Sequence, residues 1–252
     1  MDVAQIRVGK GRVLSAALNR RHELRANCYD CPEFVTGNRD SEGDIVADTE
    51  QLTPSEQRVL EEVKRHGGYV RKADIVEAHI RPHALTRLVE RGLLERVRRG
   101  LYRSAELITS DTGIADVAAA STHGVICLLS ALSHYELTTT TPWEIFLALP
   151  RKSIRPPTMA YPSVHVVYYN NAMFGYNVRT EQISGGLYVP MYTPEKSIAD
   201  AFHFQNHVGR DIAVEAIRLY LGRRKPDLRA LAEAGKVCRV SDAIRPFIEA
   251  LV

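Results

Sequence analysis

The residues best suited to chemistry lie at the start of one predicted helix: Glu195, Lys196 and Asp200. Acids beside a lysine are what a metal-dependent nuclease uses to hold an ion against phosphate. Adjacent residues of a helix point to different faces, so Glu195 and Lys196 are not expected to share one metal ion. We expect Glu195 to stabilise the positive end of the helix dipole instead. A nuclease-like C-terminal domain, targeted by a basic DNA-binding segment, stays as the alternative hypothesis.

Two other spacings are typical of metal ligands. His203 and His207 lie four residues apart, and Cys28 and Cys31 form a single C-x-x-C motif with His22 nearby. A structural zinc site normally has four ligands, usually with a second pair at similar spacing, and neither set has one. The sequence also has no phosphate-binding Walker loop, no G-x-S-x-G motif and no H-E-x-x-H motif. We therefore predict no catalytic residue, no metal and no cofactor, and hence not an enzyme.

A different kind of site is indicated by the segment from Thr53 to Arg103. Thr53, Pro54 and Glu56 form a T-P-x-E capping box, which predicts a helix that begins here and runs to about His66. The next two residues, Gly67 and Gly68, can adopt the positive φ that ends a helix.

Two more helices are predicted in the same segment. A short one fits Lys72 to Ala78, with Ile75 and Val76 facing inward, and another starts at Pro82 and stops at Gly92. The third helix combines cations with short polar side chains, as a recognition helix in the major groove of DNA requires. Its outward residues, counted from just before the proline, are Arg81, His83, Thr86, Arg87, Glu90 and Arg91.

The residues after this helix alternate between apolar and charged side chains around Arg98, Arg99 and Gly100. That pattern predicts a two-stranded hairpin with a doubly basic tip, able to contact the DNA backbone or the minor groove. Residues 54–104 carry 12 Lys and Arg against 7 Asp and Glu, whereas the rest of the chain carries 21 against 23. The excess positive charge therefore lies where phosphates would be met. A basic winged helix can also serve only to dock a protein.

Length and composition favour a protein of ordinary globular type. The chain has 252 residues, 45% hydrophobic and 25% charged, and no apolar run approaches a membrane span. Its first residues lack the apolar core of a secretory signal, so we expect a cytoplasmic protein. We predict an α+β chain in three parts: an extension over residues 1–52, weakly ordered or partly helical; a winged helix-turn-helix over 53–104; and an α+β domain over 105–252.

In the C-terminal part, the spacing of the hydrophobic residues changes along the chain from that of helices to that of strands. Helices are predicted from Thr112 to His123 and from Val125 to Glu136. Four β-branched and aromatic runs follow, near 143–149, 163–169, 176–183 and 187–192, and indicate a small, mostly antiparallel sheet. A Thr-Pro-Glu start at Thr193 then opens a helix, and further helices follow it. We expect Trp143 and the other strand aromatics to be in the core or in an interface, with a stacking platform for single-stranded nucleic acid as the lesser alternative.

Three stretches in this order resemble one family. They are HALTRLVERGLLERVRRGLYR, ALSHYELTTTTPWEIFLALP and YTPEKSIADAF. The chain is similar, over about residues 53–220, to the AbiEi-type antitoxins of bacterial type IV toxin-antitoxin systems, which are also described as viral-defence (phage-defence) transcriptional regulators. The long N-terminal extension with Cys28 and Cys31 departs from the shorter family pattern.

The resemblance implies a function. In that family the winged helix binds double-stranded operator DNA upstream of the toxin-antitoxin operon and represses it. The C-terminal domain is associated with antitoxin activity against a nucleotidyltransferase-like toxin encoded next door. Carried onto this chain, the implied DNA-binding residues are Arg81, His83, Thr86 and Arg87 on the recognition helix, and Arg98 and Arg99 on the wing. The resemblance assigns no individual antitoxin residue, and the oligomeric state is left open.

Overall fold

A computed structural model describes residues 52–150 and 156–250 of the chain. The chain from Thr53 onward forms one compact unit. The predicted extension, with Cys28 and Cys31, lies outside the described residues except for Leu52. The division of the remaining chain at residue 104 stays a prediction.

The first segment contains three helices: α1 (Pro54–Arg65), α2 (Lys72–Glu77) and α3 (His83–Glu90). The predicted capping box is confirmed, because the Glu56 amide donates to Thr53 Oγ1 at 3.4 Å and the Thr53 amide donates to Glu56 Oε2 at 2.7 Å. The expectation that Val76 faces inward is wrong, since 53% of it is exposed. Helix α2 is only six residues long and buries Ile75 alone.

These helices pack with a three-stranded antiparallel sheet of order β1-β3-β2. The strands are β1 (Tyr69–Arg71), β2 (Leu94–Arg98) and β3 (Leu101–Ser104). The predicted hairpin is confirmed as β2 and β3, and its turn contains Gly100 at φ +80°. Strand β1 was missed, because three residues are too few to show an alternating pattern.

The rest of the chain supplies further helices and a second sheet. The predicted helix start at Thr193 is confirmed, since its side chain accepts a hydrogen bond from the Lys196 amide. These helices are α4 (Thr112–Ala120), α5 (Leu128–His134), α6 (Asn171–Phe174), α7 (Pro194–His203), α8 (Gln205–Val208), α9 (Arg210–Leu221), α10 (Leu228–Val237) and α11 (Ser241–Glu249). A 3₁₀ turn covers Ser184–Gly186.

The second sheet has five strands in the order β6-β5-β4-β8-β7. They are β4 (Val125–Ile126), β5 (Ile145–Pro150), β6 (Val164–Tyr169), β7 (Val178–Gln182) and β8 (Tyr188–Tyr192). The prediction of a mostly antiparallel sheet is wrong. Pairs β4/β8 and β5/β6 are parallel, while β4/β5 and β7/β8 are antiparallel.

Two local features explain this mixed sheet. Strands β5 and β6 follow each other in sequence but pair in parallel, so they do not form the hairpin that an antiparallel sheet would require. The two residues of β4 occupy the centre of the sheet where a continuous helix from Val125 to Glu136 was predicted. The helix begins only at Leu128, which has φ +44°.

The two faces of the larger sheet carry separate cores. One core packs the sheet against α5, α7, α9 and α10, with members such as Leu132, Ile198 and Ile217. The other includes Val117 of α4 and, from the first segment, Tyr69 and Leu101. The first segment therefore shares a hydrophobic core with the larger sheet, which is why the chain from Thr53 onward is one compact unit.

Two findings concern the surface. Trp143 is 82% exposed, so it does not lie in the core, and its place in an interface stays a prediction. It immediately precedes Glu144 and β5, in a loop where no neighbouring element covers its ring. Across the described ranges, every helix falls short of the length and apolar character needed to cross a bilayer.

Candidate nucleic-acid interface

Helix α3 has one buried face and one polar face. Ala84, Leu85 and Leu88 are buried against the first segment. Because side chains three and four positions apart share a face of a helix, this anchoring turns His83 and Thr86 outward, and both are exposed. Arg81, just before the helix, is exposed as well. The polar face can therefore present one cation, one imidazole and one hydroxyl to a ligand.

Arg87 is held on the same helix by a buried acid. Its Nε lies 3.1 Å from Glu56 Oε1, and a guanidinium nitrogen of Arg91 lies 3.6 Å from Glu56 Oε2. The Glu56 side chain is fully buried, and the hydrogen bond from the Thr53 amide holds the pKa of Glu56 below its ordinary value. The capping acid of α1 thus also fixes α3. Arg87 nevertheless remains 45% exposed, so it keeps a surface for a second partner.

The two arginines at the hairpin tip have different environments. Arg98 donates to the carbonyl oxygen of Ala120 at 3.0 Å, whereas Arg99 is exposed. Arg71 donates to the neighbouring carbonyl of Ala119 at 2.9 Å. Both carbonyls belong to the last turn of α4, where a helix has unsatisfied acceptors and a partial negative charge that favours cations. Arg98 therefore caps α4, and Arg99 points to solvent.

A buried polar network lies beside this cap. An Arg103 guanidinium nitrogen lies 2.5 Å from Asp116 Oδ2, and the Tyr69 hydroxyl donates to Asp116 Oδ1 at 2.8 Å. Glu95, which is partly exposed, pairs with the other guanidinium nitrogen of Arg103. Burial and the neighbouring Asp116 carboxylate raise the pKa of Tyr69, so its hydroxyl stays a donor. The network connects β1 and β3 of the first sheet to α4.

This connection was not predicted from the sequence, although one signal was present. Asp116 is the only charged residue in the sequence of α4, TGIADVAAA. A single acid among small apolar residues on a helix predicts a buried partner, because an unpaired buried charge is costly. The partner could not be named from the sequence, since Arg103 is one of many arginines in the first segment.

The six predicted DNA-binding residues all lie in the first segment. Four belong to α3 or directly precede it, and two belong to the β2–β3 hairpin. Four have exposed side chains, namely Arg81, His83, Thr86 and Arg99, while Arg87 and Arg98 contact the protein. The structure thus presents the exposed polar face of α3 and an exposed arginine at the tip of the hairpin.

Replacing each of the two arginines at the hairpin tip is therefore expected to change the stability by a different amount. Arg98→Ala removes the cap on Ala120 and should lower the free energy of unfolding by about 1–2 kcal/mol, because a hydrogen bond from a charged donor is lost. Arg99→Ala should leave it within about 0.5 kcal/mol of the parent value, as for most exposed positions. Denaturant unfolding of the two variants measures both. Equal stability of the two variants contradicts the capping role of Arg98.

Two of the three residues suited to nuclease chemistry are not accessible to solvent. Lys196 and Asp200 pair with each other and are both 0% exposed. The Lys196 ammonium lies 4.4 Å from the centre of the Tyr192 ring and 4.9 Å from that of Tyr169, and Cys238 Sγ donates to Asp200 Oδ1 at 3.3 Å. A nucleic acid cannot reach this pair in the folded state. The geometry disfavours the nuclease hypothesis.

Glu195 faces away from this pair, as expected for the residue next to Lys196. It accepts a hydrogen bond of 2.6 Å from the Tyr220 hydroxyl of α9. Burial raises the pKa of Tyr220, and the bond to Glu195 adds to that effect. Glu195 therefore joins the first turn of α7 to α9 and does not take part in a shared metal site with Lys196.

The histidines that are four apart in sequence have separate partners in the structure. His203 Nδ1 lies 2.7 Å from the Cys238 carbonyl oxygen, whereas His207 Nδ1 lies 3.0 Å from His165 Nε2. They also belong to different helices, α7 and α8. In the part of the chain that the structure describes, no group of three or more His, Cys, Asp or Glu residues is arranged to hold a metal ion.

One protein-family model matches the part of the chain that contains these residues. Residues 57–105 match the model of a family described as "Transcriptional regulator, AbiEi antitoxin". This confirms the resemblance inferred from the sequence, and the matched segment contains α3 and the hairpin. No curated protein matches the chain. The family is one of regulators, and the matched residues include every predicted DNA-binding position.

Proposed function

We propose that this chain, whose residues 57–105 match the model of the AbiEi antitoxin family of transcriptional regulators, is a DNA-binding repressor and an antitoxin. It binds double-stranded operator DNA upstream of its own operon and represses that operon. It also counteracts a nucleotidyltransferase-like toxin, either without binding it or by direct contact. The observation that carries the DNA-binding half is the exposed polar face of α3 within the family-matched segment.

Residues 53–104 form, in this proposal, a winged helix-turn-helix. The order of elements supports it, since α2 and α3 follow each other after α1 and the β2–β3 hairpin follows α3. Helix α3 is the recognition helix that enters the major groove, and the hairpin is the wing. The contacts of Glu56 with Arg87 and Arg91 hold α3 against α1, which fixes the angle at which α3 is presented.

The contacts with DNA are divided between the two elements. Arg81, His83 and Thr86 contact base edges and nearby phosphates from α3, while Arg99 contacts the backbone or the minor groove from the wing. Arg87 and Arg98 belong to the same interface, but each already has a protein partner. Their first effect is to position the recognition helix and the wing, and their exposed parts add positive charge.

The antitoxin half is assigned to residues 105–252. It rests on the resemblance of the two C-terminal stretches to the family and on the buried state of Lys196 and Asp200, which fits a binding domain better than a nuclease. Helix α4 is the element through which this part meets the wing, by way of Arg98 and Asp116. Through these contacts of α4, a toxin bound to the C-terminal part can affect the position of the DNA-binding segment.

A two-part experiment in cells tests the proposal. The DNA upstream of the gene is fused to a reporter, and the chain is expressed with it; repression is expected. The triple variant Arg81→Ala/His83→Ala/Thr86→Ala should lose repression, whereas Arg245→Ala, an exposed change on α11, should keep it. In the second part, the chain is co-expressed with a nucleotidyltransferase-like toxin encoded beside it, and growth is expected to recover.

The outcomes separate the two halves. Unchanged reporter activity with the parent chain contradicts the repressor. Failure to restore growth, with the chain present at normal abundance, contradicts the antitoxin. Repression that the triple α3 variant retains removes α3 as the recognition helix.

A further inference from the structure

A chain of three polar side chains joins distant parts of the C-terminal region. Glu144 directly precedes β5, His165 lies on β6 and His207 lies on α8. Glu144 Oε1 is 2.8 Å from His165 Nδ1, and His165 Nε2 is 3.0 Å from His207 Nδ1. The sequence places these residues far apart, so only the fold brings them together.

Aromatic neighbours pack against both imidazole rings. Phe146 stacks on His165 with ring centres 4.7 Å apart, and Phe204 meets His207 edge to face at 5.9 Å. The two imidazoles are themselves nearly perpendicular, with an angle of 87° between their planes. The side chain of His165 is 30% exposed and His207 is exposed, so the pair lies at the protein surface.

The geometry of this group suits ligation. The Glu144 carboxylate lies at Nδ1 of His165, so a proton on Nδ1 is donated to Glu144, and Nε2 then has its lone pair on the side of His207. A neutral imidazole whose other nitrogen donates to a carboxylate is the arrangement found for histidine ligands of zinc.

We propose that His165 Nε2 and His207 Nδ1 form a site for a divalent transition ion of the Zn²⁺ type, with Glu144 orienting His165. Zinc-nitrogen bonds of about 2.0–2.1 Å in tetrahedral geometry require the two nitrogens to be roughly 3.3 Å apart. The nitrogens must therefore separate by a few tenths of an ångström, and each ring must turn until its lone pair meets an ion that lies beside the line joining them. On binding, the proton on His207 Nδ1 moves to Nε2 through solvent, and Nδ1 becomes the ligand.

The site is open on its other side. No third His, Cys, Asp or Glu in the described residues closes around the same position, so water completes the coordination. Two protein ligands imply weak, reversible binding. The ion would join β6 to α8 and should stabilise the folded chain by mass action, because the unfolded chain does not hold the two rings together. This inference does not depend on DNA binding or antitoxin activity.

The test is a titration of the full chain with Zn²⁺, followed by calorimetry and by the thermal unfolding midpoint. Since Cys28 and Cys31 could bind the same ion, every protein carries Cys28→Ala and Cys31→Ala. We expect saturation near one ion per chain and a rise of the midpoint. Mg²⁺, which prefers oxygen ligands, should give neither.

Single variants test which residues bind the ion. His165→Gln and His207→Gln should each abolish the binding, and Glu144→Gln should weaken it by about 10–100-fold, as for other partners of metal-bound histidines. His203→Ala is the matched control, because that histidine contacts the Cys238 carbonyl and should leave the titration unchanged. No saturable binding by a parent protein that is folded by circular dichroism overturns the proposal, and so does binding that persists in both histidine variants.

Discussion

Lys196→Met is expected to lower the free energy of unfolding by about 3–5 kcal/mol, the largest effect of any exchange considered. The reason is that the substitution leaves the Asp200 carboxylate without its cation in a site where both side chains are 0% exposed. Methionine nearly preserves the volume, so little of the loss comes from a cavity. Denaturant unfolding at neutral pH measures it. A loss below about 1 kcal/mol contradicts the buried ion pair.

The loss should depend on pH in a defined direction. Burial raises the pKa of Asp200, and the Lys196 ammonium opposes that rise. Without Lys196 the folded-state pKa is higher still, so the folded variant binds a proton that the unfolded chain releases. Stability of the variant is then greatest below the ordinary aspartate pKa of about 4 and falls as pH rises through the folded-state pKa. Unfolding measured from pH 5 to pH 8 should show the deficit relative to the parent increasing with pH.

A double variant provides the control. Lys196→Met/Asp200→Leu replaces both charges with apolar groups, and well-packed replacements of this kind are often neutral or stabilising. It should recover most of the stability lost by Lys196→Met and remove the pH dependence. If the double variant is as unstable as the single one, packing and not an unpaired charge explains the loss.

Asp116→Ala is expected to lower the free energy of unfolding by about 3 kcal/mol. It removes the ion pair with Arg103 and the acceptor of the Tyr69 hydroxyl, both in buried positions. The partly exposed Glu95 still neutralises Arg103, which keeps the loss near the lower end for buried pairs. Asp242→Ala on α11, where the carboxylate of the pair is 95% exposed, is the matched control and should cost less than about 1 kcal/mol.

The same network connects the wing to the C-terminal part, so Asp116→Ala should have a second effect. Loss of the contacts between β1, β3 and α4 should weaken DNA binding without any change in a DNA-contacting residue. Binding measured where the variant is fully folded tests this. Unchanged affinity means that the wing holds its position without α4.

Much of the first segment could be predicted because its signals are local. The capping box of Thr53 and Glu56 and the glycine turn of the β2–β3 hairpin are specified by residues within a few positions of each other. Such signals do not depend on the rest of the fold. The capping Thr193 was predicted for the same reason.

The errors arise where distant parts of the chain decide the structure. Strand β4 has two residues, and only its neighbours β5 and β8 make it a strand. The parallel pairing of β5 with β6 joins residues that are distant in sequence, and no local pattern predicts its direction. The contacts in the two candidate sites could likewise be predicted only where they are local in sequence. The outward residues of α3 follow from helical period, but the cap that Arg98 places on Ala120 and the meeting of His165 with His207 are long-range contacts.

The central claim, that α3 and the wing bind operator DNA, is tested most directly by fluorescence anisotropy of the purified chain. The native duplex from upstream of its gene is compared with a shuffled duplex at two salt concentrations. The account predicts tighter binding to the native duplex, weaker binding at higher salt, and a salt slope smaller by about one for Arg99→Ala. The triple variant Arg81→Ala/His83→Ala/Thr86→Ala should lose the preference. Equal binding to both duplexes, or no binding at low salt, would contradict the claim.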